Sequence, residues 1–450
     1  MTYFVANFGA KILLLIIYPA YTYVICPEEL GTYDLIISTL SLVYPIIIFS
    51  INEAVFRWLL DETGSKQIEI IAVALKITLR NIAVFDILFL LIQTIIQSRY
   101  GWYILGVINA GAVYPVLQQI ARGLRKNRLF AVSGLLYAVM LVLSNAILVF
   151  GCDLGVEGLL LSQLFAYMSS CIFLILSIKA LRLKWWRAVV SQKTKAEMTR
   201  YSLMLIPNSC CWWIMNASDR YLIRFFLGNA ANGIYAIAHK FPSVLNIVTT
   251  VFSFAWQEQA ITEYASNDRN EYYSRIYRYY YLFLFSICLL LLPITKLFVI
   301  FFVESDYSSA WQYSAQLYLG SIFLALASFL GTGYLSAKNT AGSMLTSIAG
   351  AIVNIISDLI LLPLIGLEAA AISTALGNVS IWMARWIQTG KYFKIRMNWP
   401  EFVFLIALNI IWGFLIRYTT LLIDLLLIII AVAVIFFVNK DLIQNLLKKK

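Results

Sequence analysis

The stretch WWIMNASDRYLIRF, residues 212 to 225, sets Asp219, Arg220 and Arg224 inside or at the edge of a run otherwise apolar enough for lipid. Asn216, Asp219, Arg220 and Arg224 fall at i, i+3, i+4 and i+8, so a helix carries them on one face. Charges within membrane helices are costly and usually face a bundle interior or a watery cavity. Snorkelling to the outer headgroups accounts for Arg224. It accounts poorly for Asp219, whose short carboxylate cannot reach far.

Other polar groups fall at similar depth. Lys11 stands in the middle of an apolar first helix, with Asn7 one turn earlier on the same face. His239, the only histidine, is followed by Lys240 and then Pro242, which frees a backbone carbonyl nearby. Glu53 and Arg57, spaced i, i+4 with the acid first, suit an ion pair near the inner end of a helix. Lys76 and Arg80 lie near the inner face of a third helix, with Asp86 deeper. Asn354 and Asp358 are again i, i+4. At depth, Lys11, Arg220 and Lys240 stand against Asp219 and Asp358. That balance suits a phosphate better than a cationic drug. Asp219, His239 or Asp358 could instead carry a coupling ion, H+ or Na+, or serve only to lock helices together. Sequence does not choose between these roles.

The elements that must position these groups are membrane helices. Of 450 residues, 61% are hydrophobic and 13% charged, too apolar for a soluble surface. The apolar runs approach 20 residues, too long and uniform for transmembrane strands. Fourteen helices are predicted, at 3–25, 34–56, 71–97, 102–121, 129–151, 157–178, 201–223, 232–256, 278–302, 312–336, 341–364, 367–388, 400–416 and 420–438. With the N-terminus inside, inner loops collect the basic groups: RGLRKNR (Arg122 to Arg128), the polar linker Lys179 to Arg200, Arg385 to Arg396, and the Lys448–Lys450 tail. Outer loops keep only Arg99 and Arg417 but carry Glu28, Glu29, Asp153, Glu157, Glu304, Asp306 and Glu368. This asymmetry follows the positive-inside rule with both termini cytoplasmic. The net charge of +11 therefore reads as topology and not as a nucleic-acid surface.

The chain repeats itself. GTYDLIISTLS at Gly31 matches GIYAIAHKFPS at Gly233, an offset of 202. Lys126-Asn127 matches Lys338-Asn339 at 212, and GVEGLLLSQL at Gly155 matches GLEAAAISTA at Gly366 at 211. A repeat of six helices, an even number, gives two bundles of the same orientation, with a substrate site expected between them. The expected organisation is an N-terminal lobe 1–195, a C-terminal lobe 196–390, and two additional helices with a basic tail at 391–450.

Several chemistries are missing. No G-x-x-x-x-G-K-[ST] is present, so the chain carries no P-loop ATPase. The six cysteines show neither metal-ligand spacing nor a disulfide framework, and no cofactor is indicated. A Ser-His-Asp site would need His239, deep in a helix. Glu28-Glu29 faintly resemble the acidic pair of membrane glycosyltransferases, but that loop is too short to build an active site. Tyr and Trp clusters such as Trp185-Trp186 and Tyr279 to Tyr281 are expected in interfacial belts.

The stretch YSLMLIPNSCCWWIMNASDRYLIRFFLGNAANGIYAIAHKFPSVLNIV resembles the start of the second half of Wzx-type lipid-linked oligosaccharide flippases of the multidrug/oligosaccharidyl-lipid/polysaccharide (MOP) exporter superfamily. FGAKILLLIIYPAYTYVICPEELGTYDL resembles that family's first helix and outer loop, and RGLRKNR and NIISDLILLPLIGLEAAAIST also fit. The resemblance covers most of residues 1 to 390. It implies alternating access and movement of an undecaprenyl-pyrophosphate-linked oligosaccharide across the bacterial cytoplasmic membrane. It also implies glycosyltransferases and a glycan polymerase of the same pathway as partners. Lys11, Asp219-Arg220 and Lys240 match the family's basic position of helix one, acid–base pair of helix seven and basic position of helix eight. Two other readings stay open: a drug/cation antiporter of the same superfamily, and a membrane glycosyltransferase or polymerase.

Overall fold

The computed structural model describes residues 17–178, 190–336 and 340–440. Among these no strand occurs, and ten helices are long and apolar enough to cross a membrane. The chain is an all-α, multi-pass membrane protein. It folds as two compact units, residues 1–213 and 214–450.

In the first unit, helical residues 17–21 lead to α1 (Pro27–Ile47), α2 (Ile51–Asp61), α3 (Ser65–Ile96), α4 (Gly101–Gly123), α5 (Asn127–Leu148), α6 (Gly155–Ile178) and α7 (Gln192–Leu203). The predicted helix 34–56 is in fact two. Pro45 removes one backbone donor within α1, and Phe49 and Ser50 then turn left-handed (φ 54° and 50°) before α2 starts. α1 itself begins earlier, at Pro27, whose missing N–H costs nothing in a first turn. α3 has 32 residues, longer than a bilayer needs, so it extends past the apolar zone at its basic end. The described end of the polar linker, from Gln192 onward, folds as α7, where no helix was expected. The backbone N–H of Ser191, its N-cap, donates to Glu69 Oε1 of α3 at 2.9 Å.

α8 (Ile206–Leu227) carries the boundary between the units. The second unit continues with α9 (Asn229–Ala238), α10 (Phe241–Thr262), α11 (Arg269–Phe302), α12 (Ser314–Ser336), α13 (Thr340–Ile365), α14 (Glu368–Thr389), α15 (Trp399–Leu415) and α16 (Leu421–Val438). The single helix expected at 232–256 breaks at His239-Lys240. Pro242 has no N–H, and its ring would clash with the carbonyl of Ala238, so the chain turns and restarts. α11 starts nine residues before the expected 278. Its added turns bury Tyr273 and Tyr277 with Trp256, Phe329 and Phe393. Tyr280 and Tyr281, expected in an interfacial belt, are core residues instead. Phe252 stacks on Tyr280 at 3.8 Å, and the Tyr281 hydroxyl donates to Glu401 Oε1 at 2.6 Å. Burying the aromatic faces outweighs leaving them at headgroup level, even though the buried Tyr280 hydroxyl has no hydrogen-bond partner. Trp185, Trp186, Lys338 and Asn339 lie outside the described residues.

The last two helices are bonded to α11 along its length. Lys296 of α11 is buried, and its Nζ meets Asp424 Oδ2 of α16 at 2.9 Å. It also donates to the carbonyls of Ile416 and Thr419, both at 2.8 Å. The Trp412 indole donates to the Leu289 carbonyl at 3.1 Å, and Arg278 pairs with Glu401 at 2.6 Å. The sequence reading passed over Lys296 and Asp424, although each is a charge within an apolar run.

Candidate functional site

The site is built on α8, α9, α13 and α14 of the second unit. Asp219 and Arg220 are 4% and 8% exposed, so neither snorkels. Arg220 Nη1 donates to Asp219 Oδ1 at 3.3 Å. The other carboxylate oxygen accepts the Tyr235 hydroxyl of α9 at 2.8 Å. Tyr235 reaches α14 as well: its hydroxyl lies 3.2 Å from Thr374 Oγ1 and 3.5 Å from the Ala370 carbonyl. A carboxylate out of water needs both a cation and hydrogen bonds, and Asp219 has both.

Asp358 of α13 is different. It is 0% exposed, and neither of its oxygens has a hydrogen-bond partner. Ser373 of α14 faces it without closing a bond of normal length, and the Asn354 amide nitrogen one turn away is also unpartnered. Asp219 is close enough for the two carboxylates to repel. Such a group is expensive to keep unless something positive fills the gap. Glycines set the spacing. A Cβ on Gly377 would stand 3.0 Å from both Asn354 Cβ and the Gly350 carbonyl. One on Gly350 would strike the Ile381 side chain at 2.2 Å. Close approach of α13 and α14 therefore brings Asn354 and Asp358 onto Ser373. Among the described residues, no three His, Cys, Asp or Glu side chains gather to hold a transition metal. Oxygen-rich groups of this kind suit a hard cation or a proton.

His239 and Lys240 occupy the α9–α10 turn. The His239 ring lies 5.8 Å from Tyr235, and Arg220 and Lys240 both act on it electrostatically. Asp219, Arg220, His239, Lys240 and Asp358, far apart in sequence, thus share one neighbourhood. Arg224 does not join it: it is exposed in the last turn of α8, as snorkelling requires. The i, i+4 pair expected between Glu53 and Arg57 does not form. Arg57 bonds Asp61, one turn further along α2, while Glu53 sits at the start of the helix and takes a 2.9 Å bond from Asn52. Both are exposed, which fits a rim and not a cavity. Asn7, Lys11 and the side chain of Asn216 lie outside the described residues. The sequence reading missed Tyr235, Ser373 and Thr374. All three sit in the repeated stretches GIYAIAHKFPS and GLEAAAISTA, and that repetition was the available signal.

The model of a family described as polysaccharide biosynthesis protein matches residues 1–257. No curated protein sequence matches the chain. The fold is similar to that of the lipid II flippase MurJ in an inward closed conformation (14% identity, TM-score 0.72, 99% of each chain covered). It is also similar to a multidrug resistance MATE family transporter of the MOP superfamily, inward-facing (13%, 0.65, 85% of this chain and 94% of that one). A third is a MOP superfamily transporter from Pyrococcus furiosus, reported with a binding pocket of reversed polarity (13%, 0.57, 86% and 93%).

Proposed function

Because the chain belongs to the polysaccharide biosynthesis protein family, we propose that it is a flippase of the MOP superfamily. It moves undecaprenyl-pyrophosphate-linked oligosaccharide repeat units across the bacterial cytoplasmic membrane by alternating access, for O-antigen, capsule or exopolysaccharide assembly. Both termini are cytoplasmic, glycosyltransferases supply the cargo, and a polymerase consumes it. The observation that carries this reading is the family match joined to a flippase-like fold over 99% of the chain. The neighbourhood of Arg220 and Lys240 supports it, since cations at that depth offer a diphosphate what lipid cannot. Asp358, with Asn354, Ser373 and the Asp219–Tyr235 pair, holds the coupling ion, H+ or Na+, and no other cofactor takes part.

The test is transbilayer movement of a lipid-linked oligosaccharide in proteoliposomes of the purified chain. The expected result is movement by the native protein that falls at least about ten-fold in Lys240→Ala, the cost of one lost charge-assisted contact. Lys11→Ala belongs in the same assay. No movement by the native protein would defeat the cargo assignment, and native-rate movement in both variants would defeat the roles of Lys240 and Lys11. A drug/cation antiporter is the second reading, favoured by the buried carboxylates Asp219 and Asp358. It predicts resistance to cationic dyes in cells and no movement of the glycolipid. A polymerase or glycosyltransferase would lengthen the glycan, whereas a flippase only relocates it.

A further inference from the structure

A second basic feature lies in the first unit, where α3 meets α7. A hollow of about 180 Å³ is lined by Lys76, Arg80 and Lys195, with Gln192 beside them and Val73, Ile77 and Val190 as an apolar floor. No lining residue is acidic. The α3 carboxylates on either side are both engaged, Glu69 by the Ser191 N–H at 2.9 Å and Asp86 by the Asn109 amide at 3.2 Å, and the Arg80 guanidinium donates to Asn81 Oδ1 at 2.9 Å. On α7, Gln192 and Lys195 also border a broader depression of about 580 Å³ that continues to Arg200 and Leu203. There is room for more than a bare phosphate.

Depth and direction come from α3. About 20 residues cross the hydrocarbon layer at 1.5 Å each. Counting back from Ile96 at its outer end reaches Ile77, so Lys76 and Arg80 stand at the level of the inner headgroups. One stripe then runs from Arg80 through Val84, Ile87, Leu88, Leu91 and Ile95, at offsets of 4, 7, 8, 11 and 15. Those five apolar side chains are 53%, 62%, 55%, 59% and 82% exposed. A cationic cup thus sits at the head of a continuous apolar track on a single helix face. A soluble anion would use only the cup. An inner-leaflet lipid with an anionic head and two acyl chains uses both.

We infer that the α3–α7 cup is a binding site for an anionic phospholipid of the cytoplasmic leaflet, phosphate among Lys76, Arg80 and Lys195, chains along α3. The inference takes the inner-side placement of the α2–α3 turn from the topology above and is independent of what is transported. Binding would fasten the linker helix α7 to the membrane surface beside α3.

The experiment titrates delipidated full-length protein with phosphatidylglycerol or phosphatidylcholine of matched chains and counts bound lipid by native mass spectrometry. Three proteins are compared: native; Lys76→Gln with Arg80→Gln and Lys195→Gln; and a charge-matched control, Arg125→Gln with Lys126→Gln and Arg128→Gln, on the inner α4–α5 loop. The native protein and the control are expected to hold one phosphatidylglycerol at least about ten-fold more tightly than phosphatidylcholine. The cup variant should lose that preference, and Lys195→Gln alone should weaken it about five-fold, the usual weight of one basic residue at a surface. All six substituted positions at the cup and on the loop are exposed or half-buried, and matched thermal midpoints establish that each variant is folded. Equal binding of the two lipids by native protein, or an equal loss in the control, overturns the site. Complete displacement of phosphatidylglycerol by millimolar inorganic pyrophosphate overturns the lipid and leaves a soluble-anion cup. Loss of lipid binding with transport intact, or the reverse, separates this inference from the flippase reading.

Discussion

Asp358 shows what one residue can cost and supply. A carboxylate with no exposure and no hydrogen bond destabilises the fold that holds it, and Asp219 nearby adds repulsion. Asn has the same shape without the charge. Asp358→Asn should therefore raise the thermal midpoint by about 2–4 °C, the shift expected per kcal/mol for a unit of this size. It should also abolish ion dependence. Sodium titrated against the native protein's unfolding midpoint, with acidification as a parallel arm, distinguishes the two coupling ions. If neither moves the native midpoint, the ion assignment falls. Asp219 offers a contrast: Arg220 and Tyr235 already satisfy it, so Asp219→Asn strands a guanidinium and should destabilise.

At the scale of elements, the site depends on how closely two helices pack. Gly350 and Gly377 let α13 and α14 approach until backbone and side chain touch. Gly377→Val must push against Asn354 Cβ and the Gly350 carbonyl, at a cost of about 1–3 kcal/mol. The separation should carry Ser373 away from Asp358. The expected outcome is a folded but less stable protein whose midpoint no longer responds to the coupling ion, although Asp358 is intact. A native ion response in that variant would show that helix spacing does not build the site. The α9–α10 turn works in the opposite sense. Pro242 interrupts a span so that His239 and Lys240 sit at a bend, with backbone groups that a continuous helix would have consumed.

For the whole molecule, the decisive property is orientation. Cys26 and Cys152 are exposed at outer loops in the positive-inside topology, whereas Cys171 and Cys288 are buried. Single-cysteine variants retaining Cys26 or Cys152 should react with a membrane-impermeant maleimide added outside intact spheroplasts. A Lys126→Cys reporter should react only after lysis. The reverse pattern would invert the topology and with it the cytoplasmic α3–α7 cup. The C-terminal pair α15 and α16 belongs to the second unit, through Lys296–Asp424 and Arg278–Glu401.

Hydropathy and loop charge determined the class of this protein. That long apolar helices cross a membrane follows from the cost of burying backbone groups in lipid, and that cost is additive along the chain. The charged residues of α8, of α13 and of the α9–α10 turn were legible because each is an exception within its own apolar run. Partnership was not legible. That Asp219 meets Tyr235, that Asp358 goes unbonded, that Arg57 chooses Asp61 over Glu53, and that Lys296 finds Asp424 depend on side chains brought together from distant helices. Only tertiary packing fixes those distances, and a charge in low dielectric is worth what its neighbours make of it.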